Sequence, residues 1–150
     1  MPVRADAPRL DPDGGALSAT VTSFSYDVPW EGLYGFSQAM QVGDTVYISG
    51  QLAHDAEGNF VGEGDFDAQV NATLDNLDRV LAHFGASRRQ VVETTVLVVG
   101  LREHFDAVAA AHSRYFGDHR PTSTVSGVVE LALPAQLVEI GAVVRLDIAA

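Results

Sequence analysis

The sequence predicts an α+β domain, a mixed sheet of about six strands with two helices on one face. Three observations lead there. Phe66, Val70, Leu74, Leu77, Leu81 and Phe84 recur at spacings of three and four, the period of a helix with one apolar side. A second stretch with an apolar face runs from about Glu103 to Phe116. Runs rich in Val, Ile, Leu and Thr precede, separate and follow these two stretches, which makes them strands. The resulting order is β, β, β, α, β, α, β, β. Helices with a single apolar face between strands pack on the same side of one sheet, through right-handed crossovers.

Each element has a local reason. Residues 1–19 are rich in Pro, Asp, Gly and Ala and read as a flexible arm; residues 20–150 form a single domain. Thr20 to Tyr26 alternates as an edge strand would, and Pro29-Trp30-Glu31-Gly32 interrupts it. Tyr34 to Met40, the turn Val42-Gly43-Asp44 and Thr45 to Gln51 suggest a hairpin. The first helix spans Asp65 to Phe84, with Asp65 and Asp67 suiting its positive end and Gly85 the position beyond its C-terminus. Val91 to Val99 is β-branched enough for a buried strand. In the second helix Phe105, Val108, Ala109, His112 and Phe116 share a face, and Gly117 ends it.

The last third, His119 to Ile148, is a strand-turn-strand unit cornered by Leu-Ala-Leu-Pro-Ala. In the final strand Val138, Ile140, Ala142 and Val144 point one way, and Leu137, Glu139, Gly141 and Val143 the other. Neither face is polar throughout. Two helices cover one face only, so the other is expected to be covered by self-association.

Composition excludes several function classes. A chain of 150 residues is long enough for one substantial core. Its apolar runs are too short for a membrane span, and the N-terminus lacks the apolar core of a secretory signal; the cytosol is the default location. With no cysteine, disulfides and thiolate chemistry are out. The net charge of −11 argues against a nucleic-acid partner. All the basic residues are arginines, so no lysine can form a Schiff base. The five histidines show no metal-binding spacing, no cofactor is implied, and no Gly-x-Ser-x-Gly turn suggests a nucleophilic serine. His112, on an apolar helix face, reads as an interior or interface histidine making a hydrogen bond.

Glu139 stands out as a carboxylate inside an apolar strand. It either faces water, as Glu93 in Val-Val-Glu-Thr-Thr-Val is expected to, or faces a site, where one carboxylate can direct a water as general base or acid. The second marked segment is Arg120-Pro121 followed by Thr122, Ser123 and Thr124. Arg120 is either an anion clamp or a surface ion-pair partner. Ser123 and Thr124 either line a pocket with hydroxyls or simply suit a strand.

Several segments together resemble the RidA family, also called YjgF, YER057c or UK114. They are YGFSQAMQVGDTVYISGQL, AQVNATLDNLDRVLAHFGAS, VVETTVLV, the Tyr-Phe closing the second helix, and RPTSTVSGVVELALPAQLVEIGAVV. The resemblance runs from about Tyr34 to Asp147. It implies a chorismate-mutase-like fold, a homotrimer with ligand pockets in clefts between subunits, and hydrolysis of reactive 2-aminoacrylate-type enamines and imines to 2-keto acids and ammonia. Glu139 matches the glutamate that positions the attacking water. Ser49 and Gly50 match the Ser-Gly lining the pocket, beside Phe36 and Ser37. Phe36 stands where deaminating members commonly carry a tyrosine, so it keeps the apolar wall and loses the phenolic hydrogen bond.

The sequence departs from that pattern after Pro121. Deaminating members have Pro-x-Arg-Ser there, the arginine holding the substrate carboxylate as a two-pronged fork. Here Ser123 replaces that arginine, and Arg120 is the only guanidinium nearby. Loss of the fork removes about 1.5–3 kcal/mol of charge-assisted binding. The expected function is therefore hydrolytic deamination of enamines or imines or of a related activated substrate. A specialised pathway enzyme with other chemistry in the same cleft, and a non-catalytic metabolite- or partner-binding trimer, are the alternatives. RNA cleavage, attached to some relatives, is disfavoured by the charge.

Overall fold

The computed structural model describes residues 12–14 and 19–150, so most of the expected arm lies outside the described residues. The chain forms β1 (Val21–Phe24), α1 (Pro29–Tyr34), β2 (Ala39–Val42), β3 (Thr45–Gln51), α2 (Phe66–His83), β4 (Val91–Val99), α3 (Leu101–Phe116), β5 (Thr122–Val128) and β6 (Val138–Arg145). The six strands make one sheet in the order β1-β2-β3-β6-β4-β5, antiparallel except for the β4–β5 pair that α3 connects. The last strand in sequence is thus central in space, between β3 and β4.

Helix α2 follows the predicted stripe. Asp65 caps its N-terminus by accepting from the Ala68 N–H, and Gly85 takes the positive φ that ends it. Phe66, Val70, Leu74, Leu77 and Leu81 are buried against Val46, Val96, Ile140 and Val144. Each fully buried aliphatic side chain contributes about 1.5–3 kcal/mol.

Two details differ from expectation. Pro29-Trp30-Glu31-Gly32 is not an interruption but the start of α1: Pro29 fits the first helical position, where its missing N–H costs nothing, and Gly35 closes the helix with φ of 80°. Because α1 runs to Tyr34, β2 begins only at Ala39. The core face of α3 is also rotated. Val108, Ala111, Tyr115 and Phe116 are buried, whereas Phe105 is 47% exposed. The sequence pattern could not distinguish the line Phe105–Ala109–His112 from the core line, because alanines fill both.

Along β6 burial alternates strictly, with Val138, Ile140, Ala142 and Val144 in the helix-covered core. Glu139, Gly141 and Val143 point to the opposite face, which no helix among the described residues covers and on which Tyr47 is also exposed. Among the described residues no helix is long and apolar enough to cross a membrane.

Candidate functional site

Glu139 sits in mid-sheet, on the open face of β6, opposite Leu97 of β4. Its carboxylate lies directly over Gly50 of β3. A Cβ on Gly50 would fall 2.4 Å from the Glu139 Cδ and 2.5 Å from its Cγ, so only glycine leaves room. The approach is made possible by a bulge. Ile48 pairs with Ala142 and Gln51 with Ile140, so β3 carries one extra residue across Ser49-Gly50, a distortion that often re-aims side chains beside functional sites. Burial raises the Glu139 pKa above the ordinary carboxylate value, and the nearby Gln136 side-chain amide partly offsets the rise. The half-desolvated carboxylate opens on a hollow of about 260 Å³, shared with Tyr47, Glu93, Thr95 and Leu97. Glu93 is exposed as expected, yet it lines the same hollow.

Phe36, Ser37 and Ser49 share a neighbouring depression that also includes Tyr47 and Ile48. The Ser49 hydroxyl donates to the Ser37 carbonyl at 2.7 Å, and the Ser49 N–H to the Gln38 carbonyl at 2.8 Å. The Ser49 side chain therefore fixes the bulge to the segment after α1, and its hydroxyl hydrogen is already committed. The two depressions adjoin across Tyr47 and Ile48.

Arg120 and Ser123 lie elsewhere. β5 pairs in parallel with β4, Ser123 beside Thr94 and Thr124 beside Thr95. Thr94 is fully buried beneath the helices, so Ser123 is on the helix side of the sheet and Thr124 on the open side. Arg120 and Ser123 line a cavity of about 420 Å³ between α3 and β5, together with His112. The hydrogen bond expected of His112 goes to the Thr94 hydroxyl at 2.9 Å. Within one chain the sheet stands between this cavity and Glu139. Seven of the eight residues singled out in the sequence thus fall into three groups: Phe36, Ser37 and Ser49; Gly50 and Glu139 beside them; and Arg120 with Ser123 on the other face. Thr124 belongs to none of the three.

Comparison with known proteins bears on this arrangement. The model of the family described as endoribonuclease L-PSP matches residues 30–146. A crystal structure of a Mycobacterium tuberculosis member of the YjgF/YER057c/UK114 family superimposes with a TM-score of 0.75 at 27% identity, covering 84% of this chain and 99% of that one. This chain belongs to the YjgF/RidA family. Among curated relatives, a RutC family protein of Pyrococcus abyssi is 31% identical over 96 residues, 64% of this chain and 75% of that protein. A 2-iminobutanoate/2-iminopropanoate deaminase of Dermatophagoides farinae is 30% identical over 112 residues, 75% of this chain and 86% of that protein. A Saccharomyces cerevisiae relative is named as mitochondrial, so membership of the family does not by itself imply the cytosol.

In this RidA-family chain the backbone ahead of Glu139 and the bulge beneath it are tied by buried glutamines that sequence reasoning missed. Gln69 of α2, wholly buried, donates to the carbonyls of Gly62 and Ala135 and accepts from the Leu137 N–H at 2.9 Å. It ties the helix to the segment two residues ahead of Glu139. Gln136, also buried, donates to the Val138 carbonyl at 3.3 Å. Gln51 donates to the Gln38 side chain at 3.0 Å and to the Ser49 carbonyl at 3.0 Å, bracing the bulge from the core side. The available signal was Gln69 beside Val70 at the edge of an apolar helix stripe, where a polar side chain stays only if every polar atom is satisfied.

Proposed function

We propose that this protein is a RidA-like enzyme that hydrolyses small reactive imines or enamines to keto compounds and ammonia, with Glu139 directing the water. The observation that carries this reading is the carboxylate raised in pKa by burial and seated on Gly50 at a bulge. An iminium carbon is electrophilic and needs a water aimed at it. Glu139 as carboxylate takes a proton from that water while its oxygen bonds to the carbon. The resulting carbinolamine collapses to the carbonyl as Glu139 returns the proton to the departing nitrogen, so iminium plus water gives ketone plus ammonium. An enamine needs first a proton on carbon, which a carboxyl held above its usual pKa is suited to give.

A homotrimer with clefts between subunits belongs to the same reading. Glu139 faces away from the helices and Arg120 and Ser123 face toward them, with a sheet between. One ligand reaches both sets only if a second copy brings its α3–β5 cavity against the open face of the first. The uncovered apolar surface around Tyr47 and Val143 favours such association.

The test is keto-acid release from freshly generated 2-aminoacrylate and 2-iminobutanoate, with Glu139→Gln alongside. The expected result is turnover above buffer that falls by about 10²–10⁴-fold in the variant. Saturable binding without turnover would support the non-catalytic trimer instead, and turnover unaffected by Glu139→Gln would remove Glu139 from the chemistry.

A further inference from the structure

The α3–β5 cavity has a character of its own. Its body is apolar, formed by Val96, Phe105, Val108, Phe116 and Val125. At about 420 Å³ it has room for roughly a dozen water-sized groups, more than the side chain of a small imino acid fills. One polar device is set into its wall. The buried Thr94 hydroxyl lies 2.9 Å from the His112 Nε2 and 2.8 Å from the Ser123 Oγ, and both His112 and Ser123 line the cavity.

This chain of side chains can run in either direction. A threonine hydroxyl has one hydrogen and two lone pairs. When Thr94 donates to Ser123, it accepts from an Nε2–H of His112, and the Ser123 hydrogen is free for an occupant. When Ser123 donates to Thr94, Thr94 donates to a bare Nε2, and Ser123 offers a lone pair instead. The switch needs only the two tautomers of a neutral imidazole, and burial lowers the His112 pKa toward that neutral form. Ser123 thus meets a neutral donor or a neutral acceptor equally well. A guanidinium at that place could only donate, and would bring a charge. Arg120, at the same cavity, has no hydrogen-bond or ion-pair partner among the described residues and remains available for an anionic end of a ligand.

We propose that the α3–β5 cavity receives the side chain of the substrate, an apolar body carrying a hydroxyl or similar neutral polar group, that Ser123 reads this group, and that His112 positions Ser123 through Thr94. Ser123 is then a specificity-determining residue and His112 a positioning one. The inference rests on the imine-hydrolysis reading, with its assembly of two copies at one cleft, for the other end of the substrate, taken to be an imino acid.

The experiment titrates the full chain by calorimetry with pyruvate, phenylpyruvate and 4-hydroxyphenylpyruvate, keto acids that differ only in the group offered to the cavity. The hydroxylated acid is expected to bind about tenfold tighter than phenylpyruvate, and pyruvate more weakly than either. Ser123→Ala should bring the two aromatic acids within about twofold of each other by weakening only the hydroxylated one. His112→Phe should narrow the gap in the same way. His112→Gln, whose side-chain amide can take the place of Nε2, should restore it, a rescue that a purely structural histidine would not show. Equal wild-type affinities for the two aromatic acids, a gap that survives Ser123→Ala, or no saturable binding of any of the three would overturn the proposal. Turnover of the three corresponding imines, made in place by an amino-acid oxidase, is read separately. Selective binding without hydrolysis refutes the deaminase reading and leaves the cavity assignment standing; hydrolysis without selectivity refutes the cavity assignment alone.

Discussion

Replacing Gly50 with alanine adds one methyl group at the point where β3 meets the Glu139 side chain. The new Cβ would sit 2.4 Å from the Glu139 Cδ, 2.5 Å from its Cγ and 2.7 Å from its Oε2. Comfortable carbon–carbon separations are about 3.5–4.0 Å, so the carboxylate must retreat by about 1 Å or more. Gly50 is not among the residues with positive φ, so its backbone accepts alanine without strain and the perturbation is purely steric. Because the obstacle is a side chain on the open face of the sheet, it can swing outward, and the stability cost should stay within about 1–3 kcal/mol. A catalytic group misplaced by about 1 Å costs about 10²-fold in rate. Initial rates of keto-acid release, with thermal unfolding of the same samples, measure both effects. If Gly50 acts through Glu139, adding Gly50→Ala to Glu139→Gln should cost little further activity, because both changes disable one device. A Gly50→Ala rate within about threefold of wild type, or full additivity in the double variant, would refute the reasoning, since the 10²-fold loss rests on displacement of that carboxylate.

Other outcomes can be checked with the same preparations. Gln69→Ala strands the Leu137 N–H and removes the donors to Gly62 and Ala135. It should cost about 1–3 kcal/mol, a fall in melting temperature of about 2–4 °C per kcal/mol, and should lower kcat as well, because Leu137 leads into Glu139. A variant as stable and active as wild type would show that the clamp does not matter. With a preformed imine as substrate the rate should rise with pH through a value above the ordinary glutamate pKa of about 4.3, because burial raises that of Glu139 and only the carboxylate accepts the proton of water; a profile centred at or below that value would contradict this. Stability should respond to pH through the histidines. Burial lowers the pKa of His54, His83 and His112 in the folded protein, so below about pH 6.5 the unfolded chain binds more protons and stability falls as pH drops. Glu139, raised by burial, acts with the opposite sign, its contribution being lost as pH rises through its folded value. Melting temperature followed from about pH 7 toward about pH 5, across the ordinary histidine value, should therefore decline, less steeply in His112→Gln; a flat curve would remove the histidine effect.

Much of the fold was legible because its elements announce themselves locally. The stripe from Phe66 to Leu81 fixes α2 by period alone, and β4 has the bounds its β-branched run suggests. The alternation along β6 identified both of its faces, and Glu139 was marked as the polar residue on one of them. What escaped depended on tertiary contact. Helix α1 is six residues long, too short for a periodic signal, and Pro29 and Gly32 within it read as an interruption. The core line of α3 was misjudged because alanines leave the pattern ambiguous until a sheet is placed against it. The extra residue at Ser49-Gly50 cannot be read from a strand alone, because a bulge exists only relative to its partner.

The sequence by itself determined the family, the order of strands and helices apart from α1, and the two segments that carry the proposed site. These depend on short-range periodicity and on residue identity, which a linear string records in full. Only the tertiary structure decided that Gly50 is the seat of Glu139, that Gln69 ties α2 to the same strand, and that Ser123 and Glu139 lie on opposite faces of one sheet. Those are relations between residues far apart in the chain, set by strand register and helix packing. A shift of one residue in strand register would have turned Gly50, Ser123 or Glu139 to the other face.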